Sequence, residues 1–374
     1  MKIGAVLTRE QVISVRYVNH GLLTPFPDPL VAAQRLAGVQ AQILPAAGLA
    51  LWNRVVGFSV RQLEHLLYHE RSLVRLWGQR GTLHLYAMTD WPLVYGMQAG
   101  RATYWEQEAQ RDGWAVDEYE AFIARVGDLL YEHETLGRSD LRRLLPAIDQ
   151  RHLSGWGGVF AILTRRGLAC HAAPCGGEAR MAHRLRWRSD LVWEPPDTDT
   201  ANAEMLRRYL ALFGPVKLVD MTCWRGRTQA EMKRWLALIG EDVVNVSVDG
   251  QPAWWLQSHL DRLTDLPIPA DLPPHLLGRF DPLLLGTRDK SWLIDADVYN
   301  RVWRPAGHIE ATMLVHGRIA GTWRYDWRGS SIIVTLRPFK PLPPSERIRI
   351  ESLAAGVAEH FAVPLGDCRW EVVA

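Results

Sequence analysis

Two glutamines separated by one residue stand in the run Gly38-Val39-Gln40-Ala41-Gln42. Residues two apart share a face of an extended chain but not of a helix. A helix expected from Asp28 should end near Val39, and Leu44, which precedes Pro45, is biased toward extended geometry. Gln40 and Gln42 are therefore expected to point the same way from a helix-to-helix connection. Together their amides offer donors and acceptors at one point, enough to hold a water or to read the edge of a nucleobase. A pair of capping or loop-bridging glutamines has the same appearance in a sequence. Glutamine carries no charge and is not a general base in the usual pKa sense. What it supplies is orientation of a water and a carbonyl dipole.

Other candidates are weaker. His84 fits the orientation of a catalytic group as well as it fits a structural histidine. Cys170, His171, Cys175 and His183 have irregular spacing across an expected β-hairpin, so no metal site is assigned. There is no phosphate-binding glycine loop, dinucleotide fingerprint or nucleophile-elbow serine, and no cofactor is expected. The four cysteines are sparse, which points to reduced thiols in a cytoplasm. Neither a membrane-length apolar run nor an N-terminal secretory pattern is visible.

The elements that must position these residues come in cycles. Thr8 with Gln11 reads as a capping box. Pro27-Asp28-Pro29 opens a second helix, Pro45 suits the first turn of a third at about residues 46–56, and Ser59 caps a fourth over residues 60–68. Strands are expected at 73–77 and 82–86, then helices at 90–110 and 116–132. A second cycle places a Ser139-capped helix over residues 140–145 and a loop with Gly155, Gly157 and Gly158. Its next helix is ended by Gly167, and hairpin strands follow at 168–172 and 180–183. A third has helices at 203–213, 217–222 and 228–239, with strands 243–248 and 253–256 joined by Asp249-Gly250. Beyond a proline-rich linker, strand-like runs at 291–294, 311–315, 318–324 and 330–336, a helix at 345–361 and a last strand at 369–373 suggest a small barrel. The expected class is α+β: three tandem winged-helix units (1–112, 113–196 and 197–266) followed by a β-rich, barrel-like part (267–374).

A net charge of +2 alone points to no nucleic-acid partner. Of the 43 basic residues five are lysines, leaving 38 arginines, whose planar forks suit phosphate oxygens. A GC-rich genome explains much of that bias. Distribution says more: between Arg138 and Arg188 there are ten arginines against Asp140, Asp149 and Glu178. Segregated charge on a near-neutral chain is the footprint of a one-faced polyanion site. Arg142, Arg143, Arg165, Arg166, Arg186 and Arg318 are the phosphate-contact candidates, each with a solvated charged face as its alternative. Of the 17 tryptophans, Trp156, Trp187, Trp323 and Trp327 lie near expected DNA-facing segments. Core packing is the commoner use, and Trp323, like Ile319, fits a barrel strand as well as a groove-probing hairpin.

The run from Arg35 to Gln42 resembles the start of the AlkZ/YcaQ-like winged-helix DNA glycosylases. So do Leu49-Ala50-Leu51-Trp52-Asn53-Arg54-Val55, Arg80-Gly81-Thr82-Leu83-His84, Phe280-Asp281-Pro282-Leu283-Leu284-Leu285-Gly286 and Gly317-Arg318-Ile319-Ala320-Gly321-Thr322-Trp323. The resemblance implies three winged-helix units around a basic surface for duplex DNA, and excision of alkylated purines, with interstrand crosslinks unhooked by some members. It places the catalytic Gln-x-Gln motif of the AlkZ-like branch on Gln40 and Gln42; the YcaQ-like branch has Asp at the second position. An uncharged motif suffices best where the leaving base is already cationic, so N7- or N3-alkylpurines are the expected substrates. No motif marks a Schiff-base lysine, so a monofunctional enzyme is expected, acting as a monomer on double-stranded DNA in the cytoplasm, at the nucleoid. The competing readings are a non-catalytic winged-helix regulator and a damage-binding scaffold.

Overall fold

In a computed structural model the structure describes residues 3–99, 104–111, 113–154 and 157–371. They form a mixed α+β fold in two compact units: residues 1–63 with 203–374, and residues 64–202.

The first unit is built from both ends of the chain. The Thr8–Gln11 capping box is present: the Gln11 N–H donates to Thr8 Oγ1 at 3.2 Å and the Thr8 N–H to Gln11 Oε1 at 2.9 Å. It starts the helix Arg9–Asn19. Ahead of it runs a strand that sequence patterning missed, Ile3–Leu7, parallel to Val243–Val248. Five residues before a helix carry too little periodicity to stand out. Val243–Val248 pairs antiparallel with Gln251–Leu256 through Asp249 (φ 46°) and Gly250 (φ 78°), as the Asp-Gly turn requires. Helices Thr198–Phe213, Leu218–Arg225 and Gln229–Ile239 precede that hairpin, the last capped by Thr228 with Glu231.

The C-terminal part of this unit is an open five-stranded sheet. Its order is Leu365–Trp370, Ser331–Pro338, Arg318–Arg328, Thr312–Val315, His275–Leu277. Its two edge strands are not paired to each other, so among the described residues the expected barrel does not close. The expected strand at 291–294 is a turn: the Leu293 and Ile294 N–H groups both donate to the Lys290 carbonyl, at 2.8 and 3.0 Å. Trp292, Leu293 and Ile294 are buried there all the same, because a short apolar run signals burial and not conformation. Helix Pro344–His360 covers the sheet with Ile350, Ala354, Val357 and Ala358, against Ile332, Val334, Leu336 and Trp323. Each large side chain so buried stabilises by about 1.5–3 kcal/mol.

In the second unit Ile123, Val126 and Leu130 of helix Val116–Glu132 share a core with Val159, Ile162 and Leu163 of helix Gly158–Arg165. Two hairpins flank it, Leu73–Trp77 with Leu83–Ala87 and Ala169–Cys175 with Glu178–His183. The helix expected over 90–110 is interrupted: Trp91–Gly96 ends before Tyr104–Arg111 begins. Ser139 is not a cap. Helix Arg138–Leu144 starts from Gly137, whose N–H donates to Asp140 Oδ2 at 3.0 Å. Ser139 Oγ instead donates to Glu178 Oε2 at 2.5 Å. Gly155 and Trp156 lie outside the described residues, as does the end of the expected last strand, 372–373.

Candidate functional site

The helix Pro29–Arg35 is capped by Asp28, whose Oδ1 accepts the Leu30 and Val31 N–H groups at 2.8 and 2.9 Å. It ends four residues short of the expected Val39, in a Schellman motif: the Gly38 N–H donates to the Ala33 carbonyl and the Ala37 N–H to that of Gln34, both at 3.0 Å. Both residues have positive φ, 53° at Ala37 and 92° at Gly38. The backbone then turns extended at Val39–Gln40 and enters the next helix, Leu44–Trp52, after Ile43 (φ −111°, ψ 101°).

Burial ends partway along this connection. Val39 and Ala41 are fully buried, Gln40 is 8% exposed and Gln42 is exposed. One carboxamide is thus largely withdrawn from water and the other stands at the surface.

A buried framework holds the helix that follows. Arg54 and Asp281, both fully buried, form a bidentate pair at 2.8 and 2.7 Å. Arg54 also donates to the carbonyls of His20 and Ala50, each at 2.8 Å. Asn53 Nδ2 reaches the Leu49 and Leu276 carbonyls at 2.9 Å, and its Oδ1 lies 3.0 Å from His275 Nδ1. His20 is the floor of this framework: Nδ1 meets the Arg16 carbonyl at 2.7 Å, and Nε2 has no partner. Burial, with Arg54 and Arg16 nearby, pushes its pKa well below the usual histidine value. Sequence reading assigned no role to Arg54 or Asp281, although a charge beside each apolar run (Leu49-Ala50-Leu51-Trp52 and Pro282-Leu283-Leu284-Leu285) was a visible signal.

The other candidates divide between the units. Arg318 and Trp323 belong to the first, with Gln40 and Gln42; His84, Arg142, Arg143, Arg165, Arg166 and Arg186 belong to the second. Trp323 is core, 3% exposed, with Nε1 donating to the Leu277 carbonyl at 2.8 Å. Ile319 is also buried. Arg318 braces a turn: it pairs with Asp295 at 2.5 Å and donates to the Trp292 carbonyl at 2.9 Å. His84 is buried, its Nδ1 3.0 Å from the Thr82 carbonyl and its ring stacked on Tyr86.

The arginine-rich stretch is less free than its composition suggests. Arg166 pairs with Glu120 at 2.5 Å and with Glu106 at 2.9 Å, and these carboxylates raise its pKa. A phosphate would have to displace both. Arg143 pairs with Asp140 at 3.3 Å, Arg180 with Asp140 at 2.6 Å and Arg188 with Asp190 at 2.8 Å. Arg165, the last residue of its helix, is half-buried. Arg142 and Arg186 are exposed, and among the described residues neither has a carboxylate partner. Arg142 donates to Gln150 at 3.2 Å, and Arg186 lies 5.8 Å from the Tyr131 ring. Trp187 is buried under the Arg71 guanidinium, whereas Trp327 is 51% exposed near the end of its strand. Among the described residues no helix is long and apolar enough to cross a membrane.

A family model described as DNA glycosylase AlkZ-like matches residues 33–360. Among curated proteins the chain is 26% identical over 348 residues to an interstrand DNA cross-link repair glycosylase of Streptomyces sahachiroi, across 90% of this chain and 91% of that protein. Among solved structures it is similar in fold to the Streptomyces sahachiroi DNA glycosylase AlkZ. That match has a TM-score of 0.81 at 24% identity and covers 98% of this chain and 99% of the other.

Proposed function

The chain belongs to the AlkZ-like DNA glycosylase family, and from that premise we propose that it hydrolyses the N-glycosidic bond of N7- and N3-alkylated purines in duplex DNA. Gln40 and Gln42 are the catalytic pair. The observation that carries this reading is the extended connection between two helices, where alternate positions hold one buried and one exposed carboxamide.

The chemistry follows from what an amide can do. As the bond from C1′ to the purine nitrogen breaks, its electron pair stays on the base and positive character develops on the sugar. A carbonyl dipole aimed at C1′ and a water held by the second amide favour that transition state without a negative charge. The oxygen of the water bonds to C1′ and its proton passes to solvent. A neutral purine leaves as an anion unless it is protonated, and no residue here is assigned that task. A purine alkylated at N7 or N3 is cationic and leaves neutral. The reaction is monofunctional and ends at an abasic site. The relative's name supports interstrand crosslinks as further substrates, since an N7-linked crosslink has the same activated leaving group at each end.

The DNA-facing set is centred on Arg142 and Arg186, with Arg143, Arg165, Arg166 and Arg318 in bracing roles, and His84 and Trp323 supporting. The repeated helix–helix–hairpin order supports three winged-helix modules within 1–112, 113–196 and 197–266, ahead of the β-rich part 267–374. The protein works as a monomer on DNA in the cytoplasm. The test is charge selectivity: single-turnover base release from duplexes with one N7-methylguanine or one unmodified guanine at the same position. The expected result is abasic sites, without strand cleavage, from the first duplex alone. Equal release from both would remove the role given to the cationic leaving group.

A further inference from the structure

Three basic residues, Arg279, Arg304 and His308, lie at or beside the tight turn Pro305–Gly307, in the same unit as Gln40 and Gln42. Arg279 Nη2 lies 3.3 Å from His308 Nδ1, and Arg279 Nε donates to the Ile309 carbonyl at 3.4 Å. Arg304 stands on the near side of the turn, where its N–H donates to the His308 carbonyl at 2.8 Å. Arg304 and His308 are exposed and Arg279 is half-buried. The one carboxylate in residues 303–311 is Glu310. Among the described residues neither Arg279 nor Arg304 has an ion-pair partner, in contrast to Arg166 or Arg318. Two arginines at one turn without a carboxylate partner leave charged donors that an anion would fill.

The backbone around Arg279 is fixed to the candidate catalytic element. A Cβ on Gly278 would stand 3.1 Å from the Ala46 carbonyl oxygen and 3.2 Å from Leu49 Cβ, a tight fit, so this segment lies close against the first turns of helix Leu44–Trp52. On the other side of Arg279, Asp281 is locked to Arg54, near the end of the same helix. That helix begins two residues after Gln42. Sites placed on rigid elements in this way hold their geometry when a ligand arrives.

We propose that Arg279 and Arg304 grip a backbone phosphate of the DNA strand that carries the damaged nucleotide, and so set its course past Gln40 and Gln42. The role at the reaction rests on the function proposed above; the phosphate contact itself does not. The test measures binding of a duplex with one N7-methylguanine across a salt series, for wild type, Arg279→Gln, Arg304→Gln, the double variant and Arg279→Lys. Each lost phosphate contact lowers the slope of log K against log salt by roughly 1. The double variant is expected to bind on the order of tenfold more weakly at physiological salt, with Arg279→Lys restoring most of the slope. Circular dichroism checks folding, and the exposed Arg304→Gln carries the test alone should the double variant not fold. A slope equal to wild type in folded variants overturns the proposal, whatever base release shows. A reduced slope in a protein that releases no base leaves the phosphate contact standing and removes the catalytic reading instead.

Discussion

At Arg35 and again at Arg165 a short helix ends in the same backbone pattern. In the first unit Ala37 takes the left-handed position (φ 53°) and Gly38 closes the motif onto Ala33. In the second, Gly167 takes it (φ 71°) and the Leu168 N–H closes onto Leu163 at 2.9 Å. A left-handed alanine costs roughly 1 kcal/mol more than a glycine, so the exit into Gln40 is the more strained of the two. The segments also differ in how their polar groups are used. Beyond Ala37 the two glutamines follow within five residues on the same connection, one buried and one exposed. Around Arg166 the charge is neutralised by Glu106 and Glu120, 60 and 46 residues away in sequence. Spacing within an extended segment is a local property and survives folding; a surplus of charge is not local and can be cancelled by any element that folds against it.

The comparison can be broken hardest at the buried pair. Arg54→Met leaves Asp281 as an uncompensated buried charge and should cost about 3–5 kcal/mol, read as a lower urea midpoint at unchanged m-value. A loss within 0.5 kcal/mol, on the order of an ordinary surface change, would mean that the pair does not hold the helix after Gln42.

Acidification tests a weakness that both units share. His20 in the first and His171 in the second are buried with an unpartnered Nε2, and burial depresses both pKa values. Above their ordinary value of 6.5 both the folded and unfolded states are neutral and stability is complete. As pH falls below that value the unfolded chain takes up protons that the native state refuses. Stability should then fall by about 1.4 kcal/mol per pH unit for each histidine. Urea unfolding between pH 7 and 5 measures this, and a flat profile would contradict the burial.

The smallest expected effects sharpen the contrast among arginines. Arg142→Gln and Arg186→Gln should each lower the salt slope of DNA binding by roughly 1. Arg166→Gln should leave that slope unchanged and cost about 1 kcal/mol of stability through its lost ion pairs. The reverse order would mean that Arg166 leaves its carboxylates for phosphate.

Much of the architecture was legible because it is written locally. The Thr8–Gln11 box, Gly167 as a helix end and Asp249-Gly250 as a hairpin turn all stand where spacing placed them. Strand Ile3–Leu7 was not legible because its partner lies some 240 residues away, nor was the open edge of the C-terminal sheet, which depends on which strands meet. Of the candidate site, the extended backbone at Gln40 could be read from spacing, whereas the catalytic role proposed for Gln40 and Gln42 comes from the family resemblance. The Arg54–Asp281 pair could not be read, because a charge beside an apolar run reveals its partner only once the chain has folded.

The most direct test of the central claim is single-turnover base release from duplex DNA with one N7-methylguanine, by wild type and by Gln40→Ala/Gln42→Ala. Loss of dipole and water positioning should slow release by about 10²–10³-fold, with duplex affinity nearly unchanged. Release at the wild-type rate from the double variant would contradict the account and move the chemistry elsewhere in the chain. No release by wild type, on this lesion and on an N7-linked crosslink, would leave a DNA-binding scaffold in its place.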